Sequence, residues 1–207
     1  MFKNQSYKSY KENLDFVRSC SNWNELDRLS KNINHKFLSN SKYKSKLSLV
    51  EKKMNTILCD DSWMGHCAKY QLHSGGKRFR ALLAIIAADI FKISSESAIY
   101  AAICCEFIHN ASLIHDDLQD RDLLRRGLPT IWNRFGDHTA INLGDYFIAG
   151  SFEALSKIKG NPENKCKAIE HLSYTIQQTV KGQSLEILER SNLNLRMEEY
   201  ESTAKAK

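Results

Sequence analysis

The chain has 207 residues, 42% hydrophobic and 26% charged, which suits one soluble domain with a sizeable core and excludes a disordered or membrane-spanning composition. Its formal net charge of +6 is unevenly placed: residues 1–58 hold twelve Lys/Arg against five Asp/Glu, leaving 59–207 at −1. No nucleic-acid motif accompanies the basic excess, so residues 1–45 read as a solvated polar extension, with no nucleic-acid partner and at most peripheral contact with an anionic membrane.

Nine Gly and two Pro are few, and apolar residues recur at three- and four-residue spacing, so the expected fold class is all-α. The N-terminus "MFKNQSYKSYKENLDF" lacks an apolar leader, and the longest apolar run, Ala81 to Phe91, is too short to span a bilayer. The six cysteines form no C-x-x-C pair, which points to reduced thiols and a cytoplasmic location.

In chain order, residues 8–39 suggest one or two short polar helices and "NSKYKSK" (Asn40 to Lys46) a linker. Helices are expected from Leu47 to Leu58 and from Ser62 to Leu72. "HSGGKRFR" (His73 to Arg80) reads as a glycine turn running into a helix, with Ser74 as N-cap and Lys77 and Arg80 three apart on one face. Ala81 to Phe91 continues as a buried helix. A longer helix follows from Ser97 to Leu124, stopped by Gly127 and Pro129. Further helices are expected over 139–159 and 163–189, and a last one from Leu195 is still running at Lys207, which suggests an incomplete domain.

"SLIHDDLQDRDLLRRG" carries the densest chemistry. Asp116 and Asp120 are four apart and share a helical face, with Asp117 about 100° around. Two such carboxylates repel by a few tenths of a kcal/mol, ~0.2–0.5, unless a cation joins them. Mg²⁺ prefers oxygen and is commonly held by one or two carboxylates plus substrate phosphates. By itself the spacing serves a metal site and a solvated acidic face equally well. Arg125 and Arg126 are fork donors suited to phosphate, and Lys77 and Arg80 follow a glycine turn at a helix N-terminus, itself attractive to anions. Two cationic clusters and one acidic cluster on an apolar scaffold imply two phosphorylated ligands, one of them metal-bound.

Taken in order, G-G-K-R-x-R, E-x-x-H, D-D-x-x-D, R-R-G and G-Q make residues 50–207 resemble the trans-type polyprenyl diphosphate synthases. The resemblance implies an isoprenoid-synthase helical bundle over 46–207, incomplete at its C-terminus. It implies Mg²⁺-dependent condensation of isopentenyl diphosphate with an allylic diphosphate by a homodimer or heteromer. It assigns Asp116 and Asp120, with Asp117 assisting, to the metal; Arg125, Gln183 and Lys207 to the allylic diphosphate; and Lys77, Arg80, His109 and Arg126 to isopentenyl diphosphate. Asp116, Asp120, Arg125 and Lys207 are the expected catalytic set, and His115 and Asp145 are expected to be structural. Ala81 stands where the family usually has proline, and Glu186 where it has aspartate.

A second aspartate-rich motif, which faces the first across the family's metal site, does not occur in the sequence. Two other readings follow: a regulatory subunit of a heteromeric synthase, or a class I terpene cyclase, which would not need the second cationic cluster. Ser112 and Ala111, four and five residues before Asp116, are small, so the product is expected to have twenty carbons or more, with Phe107 or Ile108 as the next candidate floor.

Overall fold

In the computed structural model, residues 40–189 are described. The chain divides into two units, Met1–Lys46 and Leu47–Lys207. The predicted helices within 8–39 and after Leu195, and Lys207 itself, lie outside the described residues.

Helix α1 (Ser41–Leu58) begins directly after Asn40, whose Oδ1 accepts the Lys42 N–H at 3.0 Å and whose carbonyl accepts those of Tyr43 and Lys44. The expected linker at 40–46 is therefore helical. An asparagine cap followed by residues with no Gly or Pro starts a helix, and the lysines sit on its solvent side. From Leu47 onward the buried positions Leu47, Val50, Met54 and Leu58 repeat at helical spacing.

Helix α2 (Trp63–His73) starts where Ser62 Oγ accepts the Gly65 N–H at 3.0 Å. Ser74 closes this helix, its hydroxyl donating to the Gln71 carbonyl at 2.8 Å, rather than capping the next one. The turn then uses positive φ at Gly75, Gly76 and Arg78 before α3 (Phe79–Ile90) begins. Lys77 thus lies in the turn, not on a helical face with Arg80.

Helix α4 (Ser95–Asp120) is the central element, long and apolar enough to cross a bilayer by composition, yet mostly buried against α3 and against α6 (Asp137–Ser156). Phe107 packs edge-to-face on Phe147 of α6, ring centroids 5.6 Å apart. The helix ends at Asp120, four residues before the expected Leu124. Arg121 adopts φ 57°, and the Asp122 N–H bonds back to the Asp117 carbonyl at 3.0 Å. This is a Schellman-type end made without glycine, held by the Arg121 guanidinium on both oxygens of Asp137 (2.8 and 3.0 Å) and over the Trp132 ring.

Where the sequence suggested only a helix stop, a two-residue hairpin pairs β1 (Leu124–Arg125) with β2 (Leu128–Pro129). Its turn residues, Arg126 (φ 54°) and Gly127 (φ 79°), are both left-handed, as a type I′ turn requires. Tyr70 Oη donates to the Pro129 carbonyl at 2.8 Å, fixing the hairpin to α2. The short α5 (Ile131–Phe135) precedes α6, and α7 (Pro162–Glu189) follows with contacts mainly to α6. Among the described residues there are seven helices and no other strand, in keeping with the all-α expectation.

Candidate functional site

The site forms where the C-terminal half of α4 meets the α2–α3 turn, the hairpin and α7. Its center is a contact between Arg80, in the first turn of α3, and His109 on α4: Arg80 Nη1 lies 3.2 Å from His109 Nε2. A guanidinium only donates, so Nε2 accepts and the imidazole proton sits on Nδ1. Burial pushes the His109 pKa down to about 4, helped by the charges of Arg80, Arg126, Arg125 and Arg78, so the ring is neutral at pH 7.

Arg80 and His109 form a wall shared by two clefts. The first, about 670 Å³, is lined by Lys77, Arg78, Arg126 and the start of α3. The α3 N-terminus has no side-chain cap on its own element. Among the described residues, no carboxylate pairs with Lys77, Arg80 or Arg126. The second cleft, about 330 Å³, lies between α4 and α7 and is lined by Ser112, Leu113, Asp116, Gln119, Val180 and Gln183. Gln183 Nε2 donates to Gln119 Oε1 at 3.1 Å, joining α7 to the aspartate-rich end of α4.

The predicted residues divide. Lys77, Arg80, His109 and Arg126 are brought together around the first cleft, and Asp116 and Gln183 around the second. Arg126 also donates to the Gly75 carbonyl, which draws the hairpin onto the glycine turn. Gly76 lies against that guanidinium at φ 139°, where a side chain would crowd Nη1.

Asp117 points the other way. It is 1% exposed, and Arg125 Nε donates to both its oxygens at 2.7 and 2.9 Å. Burial raises its pKa, and the Arg125 hydrogen bond and charge pull it back. Asp117 and Arg125, which the resemblance assigns to the metal and to the allylic diphosphate, thus bond to each other in this structure. Sequence spacing could not show this, because the hairpin returns Arg125 to α4.

Asp116 and Asp120 stand four residues apart at the end of α4 and offer carboxylate oxygens there. Among the described residues, no group of three His, Cys, Asp or Glu is poised as a closed metal cage. That donor set fits Mg²⁺ held with water and phosphate oxygens, and does not fit a transition-metal cage.

Sequence reading missed Glu106. It is 2% exposed, and its Oε1 accepts the Ala81 N–H from α3 at 3.0 Å. The signal was present as the E of E-x-x-H, which puts Glu106 one turn before His109. Arg78, also unassigned, is tied to the Leu72 carbonyl at 2.7 Å and to Glu51 at 3.2 Å. His115 sits over Gly144, and its Nε2 is 3.9 Å from Asp145 Oδ1. Ala111 is buried in the core and Phe107 is committed to Phe147, so only Ser112 of the small pair reaches the second cleft.

Residues 61–207 match the family described as Polyprenyl synthetase. A geranylgeranyl pyrophosphate synthase of Geoglobus acetivorans is 35% identical over 146 residues, which is 70% of this chain and 46% of that protein. The heptaprenyl diphosphate synthase component 2 of Bacillus subtilis is 31% identical over 74% of this chain and 43% of its own length. The solved structure of the Geoglobus acetivorans synthetase superposes with a TM-score of 0.72 at 31% identity, covering 79% of this chain and 54% of that one. The chain spans about half the length of the relatives it matches. With two clefts divided by Arg80 and His109, an aspartate pair at the end of α4, and a match over residues 61–207, this chain belongs to the polyprenyl synthetase family.

Proposed function

We propose that this chain is the diphosphate-binding portion of a chain-elongating prenyltransferase that joins isopentenyl diphosphate to an allylic diphosphate. The observation that carries this reading is the pair of clefts sharing the Arg80–His109 wall: one is cationic, the other runs from Asp116 along α4 and α7. Two adjacent sites suit a condensation of two diphosphates, whereas a cyclase handles one.

In the reaction, the allylic C–O bond breaks and diphosphate leaves with the electron pair. The double bond of isopentenyl diphosphate then attacks the allylic cation, and a proton is lost to restore an alkene. Lys77, Arg80 and Arg126, with the α3 N-terminus, grip the isopentenyl diphosphate. Neutral His109 offers its Nδ1–H and stays uncharged, so it orients rather than attracts. Asp116 and Asp120 would hold Mg²⁺, which supplies charge neutralisation to the leaving diphosphate. Gln183 orients the allylic group, and Leu113 and Val180 give the same cleft apolar surface for its hydrocarbon part.

Ser112 is the small residue on the cleft side of α4, which favors products of twenty carbons or more, and the names of the geranylgeranyl and heptaprenyl relatives support this. The name "component 2" of the Bacillus subtilis relative supports assembly with a second chain. The five described cysteines form no disulfide, which suits a reducing compartment such as the cytoplasm.

The test is calorimetric titration of the 207-residue chain with isopentenyl diphosphate and with inorganic pyrophosphate, with and without Mg²⁺. Arg80→Ala should weaken metal-free binding at least tenfold, and Asp116→Asn should remove only the increment that Mg²⁺ adds. If neither substitution changes either titration, the two-cleft reading is wrong.

A further inference from the structure

Three arginines and one lysine crowd the α2–α3 turn and its partner hairpin, yet one carboxylate sits among them almost out of reach of water. Glu106 is buried on α4, and in the first cleft a negative charge opposes an incoming diphosphate. A carboxylate in such a place is costly unless its oxygens are paired. Both are engaged. Oε1 takes the Ala81 N–H, the third of the otherwise uncapped amides that open α3, and Oε2 faces Arg78 Nη1 at 3.9 Å.

Arg78 is itself constrained. Its side chain is 10% exposed, its φ is 48°, and it also binds the Leu72 carbonyl and Glu51 of α1. Lys77 and Arg80 are the residues on either side of the Arg78–Phe79 step. The path of the chain through Arg78 therefore decides where both cations point. His109, the partner of Arg80, lies one helical turn beyond Glu106 on the same helix.

We propose that Glu106 is a positioning residue for the diphosphate cleft: by tying the Ala81 amide and the Arg78 guanidinium to α4, it sets the start of α3 so that Arg80 meets His109 and Lys77 faces the same opening. It does this without touching the ligand. The proposal rests on the reading of that cleft as an anion site. Its negative charge is offset locally by Arg78, so the ligand meets Lys77, Arg80 and Arg126 with their charges unspent.

The test uses the 207-residue chain, inorganic pyrophosphate without metal, and calorimetry at a temperature where circular dichroism shows each variant fully folded. Glu106→Ala should weaken pyrophosphate binding about tenfold. Glu106→Gln, which keeps an acceptor for the Ala81 amide, should recover most of that loss. If Glu106→Ala does not fold, Glu106→Asp takes its place with the same expected loss, since it draws the carboxylate back by one methylene. In the weakened variant the His109 ring should titrate closer to an ordinary histidine, because Arg80 no longer holds its place; a general loss of stability would not move that midpoint in folded protein. Arg80→Ala is run alongside. If Arg80→Ala weakens binding and the folded Glu106 variants bind like wild type, the positioning role is overturned while the anion site stands. If Arg80→Ala also binds like wild type, the anion site itself fails.

Discussion

Arg125→Ala removes the partner of a carboxylate that has no other place to go. Asp117 is 1% exposed, and Arg125 Nε reaches both its oxygens within 2.9 Å. Removing one member of a fully buried pair costs ~3–5 kcal/mol, because the remaining charge stays desolvated. The Arg125 side chain is 29% exposed, so water enters the vacated space and lowers the cost. We expect about 2–3 kcal/mol at neutral pH, or roughly 5–10 °C in melting temperature for a chain of this size.

The loss should depend on pH in a defined direction. Burial already raises the Asp117 pKa above its unfolded value, and removing Arg125 raises it further. The folded variant then binds more protons than the unfolded chain between the unfolded pKa and the new folded pKa, so its stability falls as pH rises through that window. The difference from wild type should be small near the unfolded carboxylate pKa of about 4 and grow toward neutrality. Urea unfolding followed by circular dichroism at several pH values measures it, and Arg125→Ala/Asp117→Asn should recover more than half of the loss. A cost below about 0.5 kcal/mol, the level of an ordinary surface change, or one that does not vary with pH, would refute the buried-pair reasoning.

The His109 ring should titrate near pH 4 by two-dimensional NMR, with the signal assigned by its absence in His109→Gln; a midpoint near 6.5 would contradict its burial beside four arginines. Because that pKa lies below the unfolded value, the stability tied to neutral His109 is present at pH 7 and is lost as pH falls from about 6.5 through 4. Gly144→Ala should destabilise by about 1–3 kcal/mol, since the added methyl meets the His115 ring, and His115→Ala in the same chain should relieve most of it in thermal melts. An additive double mutant would show that the two residues do not share that space.

The amino-acid sequence by itself determined the helical class, the order of most helices, and several of the residues that line the clefts, Lys77, Arg80, His109, Arg126, Asp116 and Gln183 among them. Period and motif are local properties: Val50, Met54 and Leu58 repeat along one face of α1, and Asp116 and Asp120 stand four apart whatever surrounds them. The sequence was least legible where a residue takes a conformation its type does not announce. Arg121 ends α4 in the left-handed region, with no glycine to mark the spot, because Asp137 and Trp132 hold it there from sixteen and eleven residues away. Arg126 and Gly127 then form a turn whose only advance sign was a glycine, read as a helix stop.

Tertiary structure alone decided how the charges are shared. Six cations and several carboxylates lie within two short segments, and spacing cannot tell which pair with each other and which stay open to a ligand. The hairpin returns Arg125 to Asp117, and the α4–α3 packing brings Glu106 to Ala81 and Arg78. Those contacts span eight to twenty-eight residues, and each exists because a buried carboxylate must find a donor wherever the chain supplies one. Lys77, Arg80 and Arg126 are what that pairing leaves facing the cleft.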